Sequence, residues 1–120
     1  MKTLKTNTKT LGGNDATTAI LGSFELLVML AVVDVRPNAY GVTIQRAVER
    51  RTGRFVSLGA VYVTLDRLEK KQLVTTWSGE PTAERGGRSK RLVALTPRGE
   101  DSLDHSLQAM RKSVLEPAMA

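Results

Sequence analysis

Cysteine is absent from this sequence, and histidine occurs once, as His105. Without cysteine there are no disulfides, thiolate metal sites or cysteine nucleophiles, and a single histidine leaves no histidine-rich metal site or Ser-His-Asp triad. Aromatic residues make up only 4% of the chain, so Trp77 is more simply a packing residue than part of an aromatic pocket. We therefore expect neither an enzyme nor a protein that depends on a metal or another cofactor.

Long hydrophobic runs are also missing. The apolar run from Leu26 to Val33 is much shorter than the roughly 20 residues that cross a bilayer. The first five residues lack the apolar stretch of a signal peptide. These features predict a cytoplasmic protein with no membrane partner.

Positive charge dominates the composition instead. Lysine and arginine number 18 against 12 acidic residues, which gives a formal net charge of +6 and a sequence pI of about 10.1. This balance favours an anionic partner such as nucleic acid, although a soluble protein can be basic without one. Residues 1–18 carry three lysines and no apolar period, which predicts a flexible basic tail. The main domain is expected over residues 19–96 and a C-terminal helix over residues 97–120.

Two helices are expected before residue 54. The first is capped by Ser23 and is apolar on nearly all sides, so one face, with Phe24 and Leu27, needs a partner subunit to cover it. The second is capped by Asn38 and closes at Gly53, because glycine suits the left-handed position after a helix.

A third helix and a basic hairpin follow. Phe55–Val56 could form a short strand, and Ser57 can cap a helix over residues 58–70. Four apolar residues of this helix recur at core spacing: Leu58, Val61, Leu65 and Leu68. Strands over residues 73–77 and 92–95 then enclose a basic turn over residues 85–91. This order predicts an α+β, mostly α fold, the winged helix-turn-helix.

The last helix is expected to hold a dimer together. Thr96 can cap it, and Pro97 fits its first position because its missing N–H is not needed there. Its apolar residues form a narrow coiled-coil-like stripe: Leu103, Leu107, Met110 and Val114. We expect this stripe and the face of Phe24 and Leu27 to form the interface of a homodimer with two-fold symmetry.

From Leu21 to about Ala118 the chain resembles the PadR family of bacterial transcriptional regulators. Four motifs in the family's order carry the resemblance: residues 21–28, 40–44, 58–69, and the wing segments 79–81, 85–91 and 95–99. The resemblance implies a homodimeric repressor whose last helix carries the dimer contact, and some members respond to a small-molecule effector. The chain departs from the family's pattern at Gln72, where glycine is usual, and at Leu92 and Val93, where aromatics are usual. Its short last helix is similar to the smaller branch of the family.

The wing and the third helix supply the candidate DNA-binding residues. Four cations within seven residues, Arg85, Arg88, Lys90 and Arg91, repel one another unless phosphates or solvent surround them. On the third helix the candidates are Ser57, Ala60, Val63, Thr64 and Arg67. Small side chains let a helix approach base edges, methyl groups can touch a thymine methyl, and an arginine can pair with guanine. The alternative for Arg67 is a surface ion pair with Asp66 or Glu69. The resemblance implies that Tyr62 offers its hydroxyl to a phosphate, against a simple role at the core edge.

These observations predict a sequence-specific transcriptional regulator, a repressor that binds a palindromic operator in double-stranded DNA as a homodimer. The alternative is a winged-helix module that binds another protein and no DNA. Salt separates the two, because DNA affinity falls steeply with ionic strength whereas an apolar protein interface is less sensitive. Arginines around the end of the second helix could extend the positive surface or simply oppose the helix dipole.

Overall fold

The computed structural model describes residues 21–81 and 89–115. The elements run in the order α1 (Ser23–Val35), α2 (Gly41–Thr52), α3 (Leu58–Lys70), β1 (Val74–Pro81), β2 (Ser89–Leu95) and α4 (Pro97–Leu115). The two strands form one antiparallel sheet beside the helices. This arrangement confirms the mostly helical winged helix-turn-helix predicted from the sequence. The residues of the expected basic tail lie outside the described part.

Helix α1 lies at the centre of the core and packs mainly against α2. Five of its apolar residues are buried: Leu26, Val28, Met29, Ala31 and Val32. Its N-cap is Gly22, so the expectation that Ser23 caps the helix is wrong; Ser23 is already helical. The Glu25 side chain performs the capping, because its Oε1 accepts a hydrogen bond from the Gly22 N–H at 3.2 Å.

Helix α2, in contrast, begins later than the sequence suggested. Its N-cap is Tyr40 rather than Asn38, and Thr43 Oγ1 accepts the Tyr40 N–H at 3.0 Å. It closes as expected at Gly53, which has a φ of 68°. The predicted strand at Phe55–Val56 is wrong, because α2 side chains satisfy the Val56 backbone. Val56 N–H donates to Glu49 Oε2 at 3.0 Å, and Gln45 Nε2 donates to the Val56 carbonyl at 2.9 Å.

Helix α3 has the predicted bounds and cap. Ser57 Oγ accepts a hydrogen bond from the Ala60 N–H at 3.0 Å, which satisfies one of the unpaired donors of the first turn. Val61, Leu65 and Leu68 are fully buried against the other helices. The helix is therefore fixed at its start by a cap and along one side by the core.

The wing is longer than predicted, because β1 extends to Pro81 and β2 begins at Ser89. Regular pairing runs from Val74 opposite Leu95 to Ser78 opposite Arg91. Val93 lies in the core, and its N–H donates to the carbonyl of Ala39 at 2.9 Å. The sheet is thereby joined to the loop between α1 and α2.

The backbone has a defined conformation at both ends of the wing, in the turn before β1 and at the start of α4. Gln72 has a φ of 63°, the left-handed conformation that glycine adopts at little cost. The turn after α3 therefore keeps the shape that suits a glycine. Beyond β2, Thr96 Oγ1 accepts the Gly99 N–H at 2.9 Å and starts α4 as predicted. Gly99 touches Leu73 so closely that any side chain there would overlap the Leu73 carbonyl.

None of the helices described is long and apolar enough to span a membrane.

Candidate nucleic-acid interface

The exposed side of α3 carries most of the residues predicted to face a groove. Ser57, Ala60 and Arg67 are exposed, and Val63 exposes 55% of its surface. Thr64 is the exception, since only 3% of its surface is exposed. It lies on the same stripe as Val61, Leu65 and Leu68, which pack into the core. The placement of Thr64 on the groove face is therefore wrong.

What remains on the outer face of α3 is small and apolar over the first two turns. Gly59, Ala60 and Val63 are all exposed. A Cβ added to Gly59 would meet no atom within 4 Å. Because the side chains here are small, another molecule can approach the backbone of this part of the helix closely.

Arg67 lies further along the same face. The Asp66 and Glu69 carboxylates, its alternative partners, are paired with Arg91 instead. Arg67 forms no ion pair with any residue of the described ranges. Its guanidinium is exposed and available to an external partner.

Arg91 has a different setting from the one predicted. It lies within β2 and not in the turn. Its guanidinium donates to Asp66 Oδ1 at 3.1 Å and to Glu69 Oε1 at 2.8 Å. Thr76 on β1 donates its hydroxyl to Glu69 Oε2 at 2.9 Å. These bonds join both strands of the wing to α3, so Arg91 neutralises carboxylates that would otherwise repel an anion at this surface.

Lys90, the neighbouring residue, faces a different element. Its Nζ lies 4.6 Å from the centre of the Tyr40 ring, within the range of a cation–π interaction. Tyr62 covers the first residue of α2, since a Cβ on Gly41 would lie within 3 Å of the Tyr62 ring and hydroxyl. Tyr62 remains 40% exposed. The wing, α2 and α3 thus bring one ammonium group and two tyrosines to the same surface.

Tyr40 and Gly41 are functional candidates that the sequence reasoning did not select. In the sequence, the Tyr-Gly pair at the start of α2 is visible only as part of the family motif over residues 40–44. Its contacts with Lys90 and Tyr62 join residues 50 and 21 positions apart, and no local spacing indicates them. Two other predicted contacts, Arg85 and Arg88, lie outside the described residues.

Most arginines at the end of α2 are free of ion pairs with described residues. Arg51 is the exception: its guanidinium donates to both carboxylate oxygens of Asp34, at 2.6 and 2.8 Å. This hydrogen bonding lowers the pKa of Asp34 and raises that of Arg51. Arg46, Arg50 and Arg54 are exposed, and they can extend the positive surface.

The end of α3 is tied to the start of α1 by one ion pair. Lys71 Nζ lies 2.8 Å from Glu25 Oε2. Burial raises the pKa of Glu25, but the hydrogen bonds from Lys71 and Gly22 and the charges of Lys71 and Arg67 outweigh it, so the pKa is lowered. Glu25 is therefore ionised and holds α3 against α1.

The predicted dimer residues differ in how far they are exposed. Leu107, Met110 and Val114 are exposed by 38%, 48% and 73%. Leu103 is only 7% exposed and belongs to the chain's own core, so its place in the exposed stripe is wrong; α4 turns this residue inward beside Ser102 and Ser106. The two α1 candidates, Phe24 and Leu27, are partly buried against the same core.

Two shallow cavities lie beside α1, one towards α4 and one towards the wing. One of about 390 Å³ lies between the start of α1 and the second half of α4, with Leu26, Met110 and Val114 in its lining. Another of about 340 Å³ is lined by Arg36, Trp77 and Val93, among others. Over residues 21–81 and 89–115 there is no group of three or more metal-ligating side chains.

Comparison with known proteins identifies the family. Residues 29–105 match the transcriptional regulator PadR-like family. An uncharacterized 37.1 kDa protein in transposon TN4556 of Streptomyces fradiae is 34% identical over 98 residues, which is 79% of this chain. The chain spans only 26% of that protein's length.

Solved structures share the fold. RosR of H. salinarum in the hsRosR-S4 complex has a TM-score of 0.62 and 25% identity, covering 86% of this chain and 82% of that one. A PadR-like transcription factor from Bacteroides fragilis has a TM-score of 0.60 and 25% identity, covering 78% and 84% of the two chains. Since the family match spans well over half of the sequence, the chain belongs to the PadR-like family of transcriptional regulators.

Proposed function

We propose that the protein is a repressor that binds a palindromic operator in double-stranded DNA as a homodimer, in the cytoplasm where the chromosome lies. The observation that carries the proposal is the surface shared by α3 and the wing. There the outer face of α3 lies beside Lys90 and Tyr62, and Arg91 neutralises the nearby carboxylates. A repressor needs no further activity, because a protein on a promoter blocks access to it.

In this proposal α3 enters the major groove. Ala60 and Val63 approach base edges, and Arg67 reaches a guanine or a phosphate. Ser57 lies at the start of the helix, where it meets the edge of the groove. Contacts of this kind determine which sequence is bound.

The surrounding cations and hydroxyl groups bind the DNA backbone. We assign this role to the Tyr62 hydroxyl and the Lys90 ammonium group, and the expected wing contacts Arg85 and Arg88 extend it. Arg91 stabilises the wing instead of contacting phosphate, because both carboxylates on α3 already bind its guanidinium. Such contacts add affinity without reading sequence.

The homodimer is supported by the second half of α4. Leu107, Met110 and Val114 expose apolar surface beside the cavity at the start of α1. A second copy related by a two-fold axis would cover both surfaces. The two α3 helices would then lie about 34–36 Å apart, or a multiple of that distance, and would match a palindromic site.

Selection of bound sequences from random duplexes tests the proposal directly. We expect a palindromic consensus, strong loss of affinity between about 50 and 200 mM salt, and a dimer on sedimentation. A reporter gene placed behind the selected site should be repressed. A protein that binds no duplex at low salt, or binds all duplexes equally, would contradict the proposal and favour a protein-binding module.

We further propose that the cavity beside Trp77 receives the small-molecule effector that some members of this family use. Trp77 is the single tryptophan of the chain and is 46% exposed, so the tryptophan fluorescence of the free protein comes from a residue that lines this cavity. Titration with small planar aromatic compounds should change that fluorescence and weaken operator binding in parallel. A change in fluorescence without a change in DNA affinity would show that a compound bound in this cavity does not regulate DNA binding.

A further inference from the structure

We infer that α3 recognises thymine through its 5-methyl group, using Ala60, Val63 and the preceding Phe55, so that the operator carries thymines at the positions these residues face. The inference rests on the proposed function and specifies what the groove-facing surface reads. It follows from which side chains of α3 are left free to meet a base.

Most hydrogen-bonding side chains near this surface already form bonds inside the chain. Thr64 is buried, and Ser57 Oγ accepts the Ala60 N–H. The Asp66 and Glu69 carboxylates bind Arg91. On the exposed part of α3, hydrogen bonds to base edges are therefore left to Arg67 at the far end of the face and to the hydroxyl proton of Ser57 at its start.

The groups that remain free are apolar and exposed. Val63 exposes 55% and Phe55 81% of its surface, and Ala60 lies between them in sequence. One exposed apolar side chain needs no explanation. Three exposed apolar side chains within nine residues, on one helix start and the loop that leads into it, are more typical of an interaction site.

The loop that carries Phe55 is held rigidly. The next residue, Val56, is fixed on both its N–H and its carbonyl by side chains of α2. The preceding residue, Arg54, donates its N–H to Thr52 Oγ1 at 3.1 Å. Phe55 is thus held in solvent by a fixed backbone, where it can meet a partner without a cost in ordering the loop.

Charge identifies the partner. Exposed Arg54 precedes the apolar surface and exposed Arg67 follows it, and neither has an ion pair with a described residue. Exposed cations that precede and follow the apolar residues along the chain favour an anionic partner such as the phosphates that line a DNA groove. Within the major groove the apolar group is the thymine methyl, which alanine and phenylalanine side chains contact.

Gly59 allows the approach that such contacts need. Glycine in a helix is less favourable than alanine, because its backbone loses more conformational freedom on folding. Here no atom of the described chain lies where its Cβ would be, so packing within the chain does not require a glycine. Close approach of the helix to DNA provides a reason for it.

Replacing thymines of the selected operator by deoxyuridine, one at a time, tests the inference, because uracil lacks only the methyl group. We expect about a three- to fivefold loss of affinity at each contacted thymine, which is the effect of removing one buried methyl. Val63→Ala should bind the thymine operator more weakly and should lose the sensitivity to uracil at one position. Phe55→Ser should lose affinity with an unchanged salt slope, since phenyl neutralises no phosphate. Gln108→Ala on α4 is the matched control and should keep the wild-type pattern.

The outcomes separate this inference from the proposed function. If the wild type binds its operator and every uracil duplex equally well, methyl recognition is overturned and DNA binding stands. If Val63→Ala keeps full sensitivity at every position, the thymine effect comes from DNA shape and the inference also fails. If no duplex is bound, the proposed function itself fails.

Discussion

The polar side chains that join α3, α2 and the described part of the wing have partners within one chain, whereas the apolar stripe of α4 is exposed. On the first side, Arg91, Lys90 and Tyr62 all have partners within the chain. On the second, Leu107, Met110 and Val114 project into solvent. The contrast indicates that the DNA surface is organised before binding, while the spacing between two such surfaces depends on a second copy.

Placing a charge in the exposed stripe of α4 should have the largest effect. Leu107→Glu puts a carboxylate into the proposed dimer seam, at a cost of several kcal/mol if it stays buried there. Because Leu107 is already 38% exposed in one chain, we expect a folded monomer that loses palindrome binding. Gln108→Glu, an exposed neighbour, is the matched control and should remain dimeric. Sedimentation of both variants decides, and a dimeric Leu107→Glu would refute this account of α4.

Removing the charge of Lys90 tests the organised side. Lys90→Met should weaken binding to all duplexes alike and lower the salt slope by about one, as expected for one lost phosphate contact. Arg91→Met combined with Asp66→Asn, which removes one positive and one negative charge, should lower affinity by loosening the wing and leave the slope unchanged, because Arg91 binds Asp66 and Glu69 and not phosphate. Binding isotherms at four salt concentrations separate the two variants. An equal loss of slope in both would make Arg91 a direct phosphate contact.

Substitutions of Arg67 and Thr64 test the exposed and the buried face of α3 separately. Arg67→Ala should cost on the order of 1–3 kcal/mol at one position of the site and relax specificity there. Thr64→Ala should change stability rather than sequence preference, because its side chain is buried. Competition between specific and random duplexes, with a urea titration of each variant, measures both effects. A change of base preference in Thr64→Ala would place this residue back in the groove.

Local signals predicted the fold, the bounds and cap of α3, and the exposure of most candidate residues on that helix. The cap at Ser57, the glycine at Gly53 and the proline at Pro97 each act through neighbouring backbone, so their spacing in sequence was sufficient. Thr64 was predicted on the groove face from its small size and methyl group, although its position in the sequence places it on the core stripe. Its separation from Val61 and Leu68, by three and four residues, is the spacing of that stripe.

Long-range contacts were beyond such reasoning. The pairing of Arg91 with α3 depends on the strand register that puts Arg91 opposite Ser78. It joins residues 22 and 25 positions apart. The contact of Lys90 with Tyr40 likewise needs the sheet and α2 to be in place. Of the predicted run of cations, Arg91 therefore joins the wing to α3, and Lys90 lies over the Tyr40 ring.

Gly59→Ala should have the smallest effect on the free protein and the most informative one. Alanine removes part of the conformational cost of glycine. Because Gly59 lies in the first turn of α3, the free energy of unfolding should rise by less than the roughly 0.5–1 kcal/mol that applies in the middle of a helix. The added methyl meets no atom within the described chain, so no strain opposes this gain. The same methyl projects from the face proposed to enter the groove and should weaken operator binding. Urea unfolding and DNA titration of one preparation measure both quantities, and a variant that is more stable yet binds DNA as tightly as the wild type would show that α3 does not approach DNA at this residue.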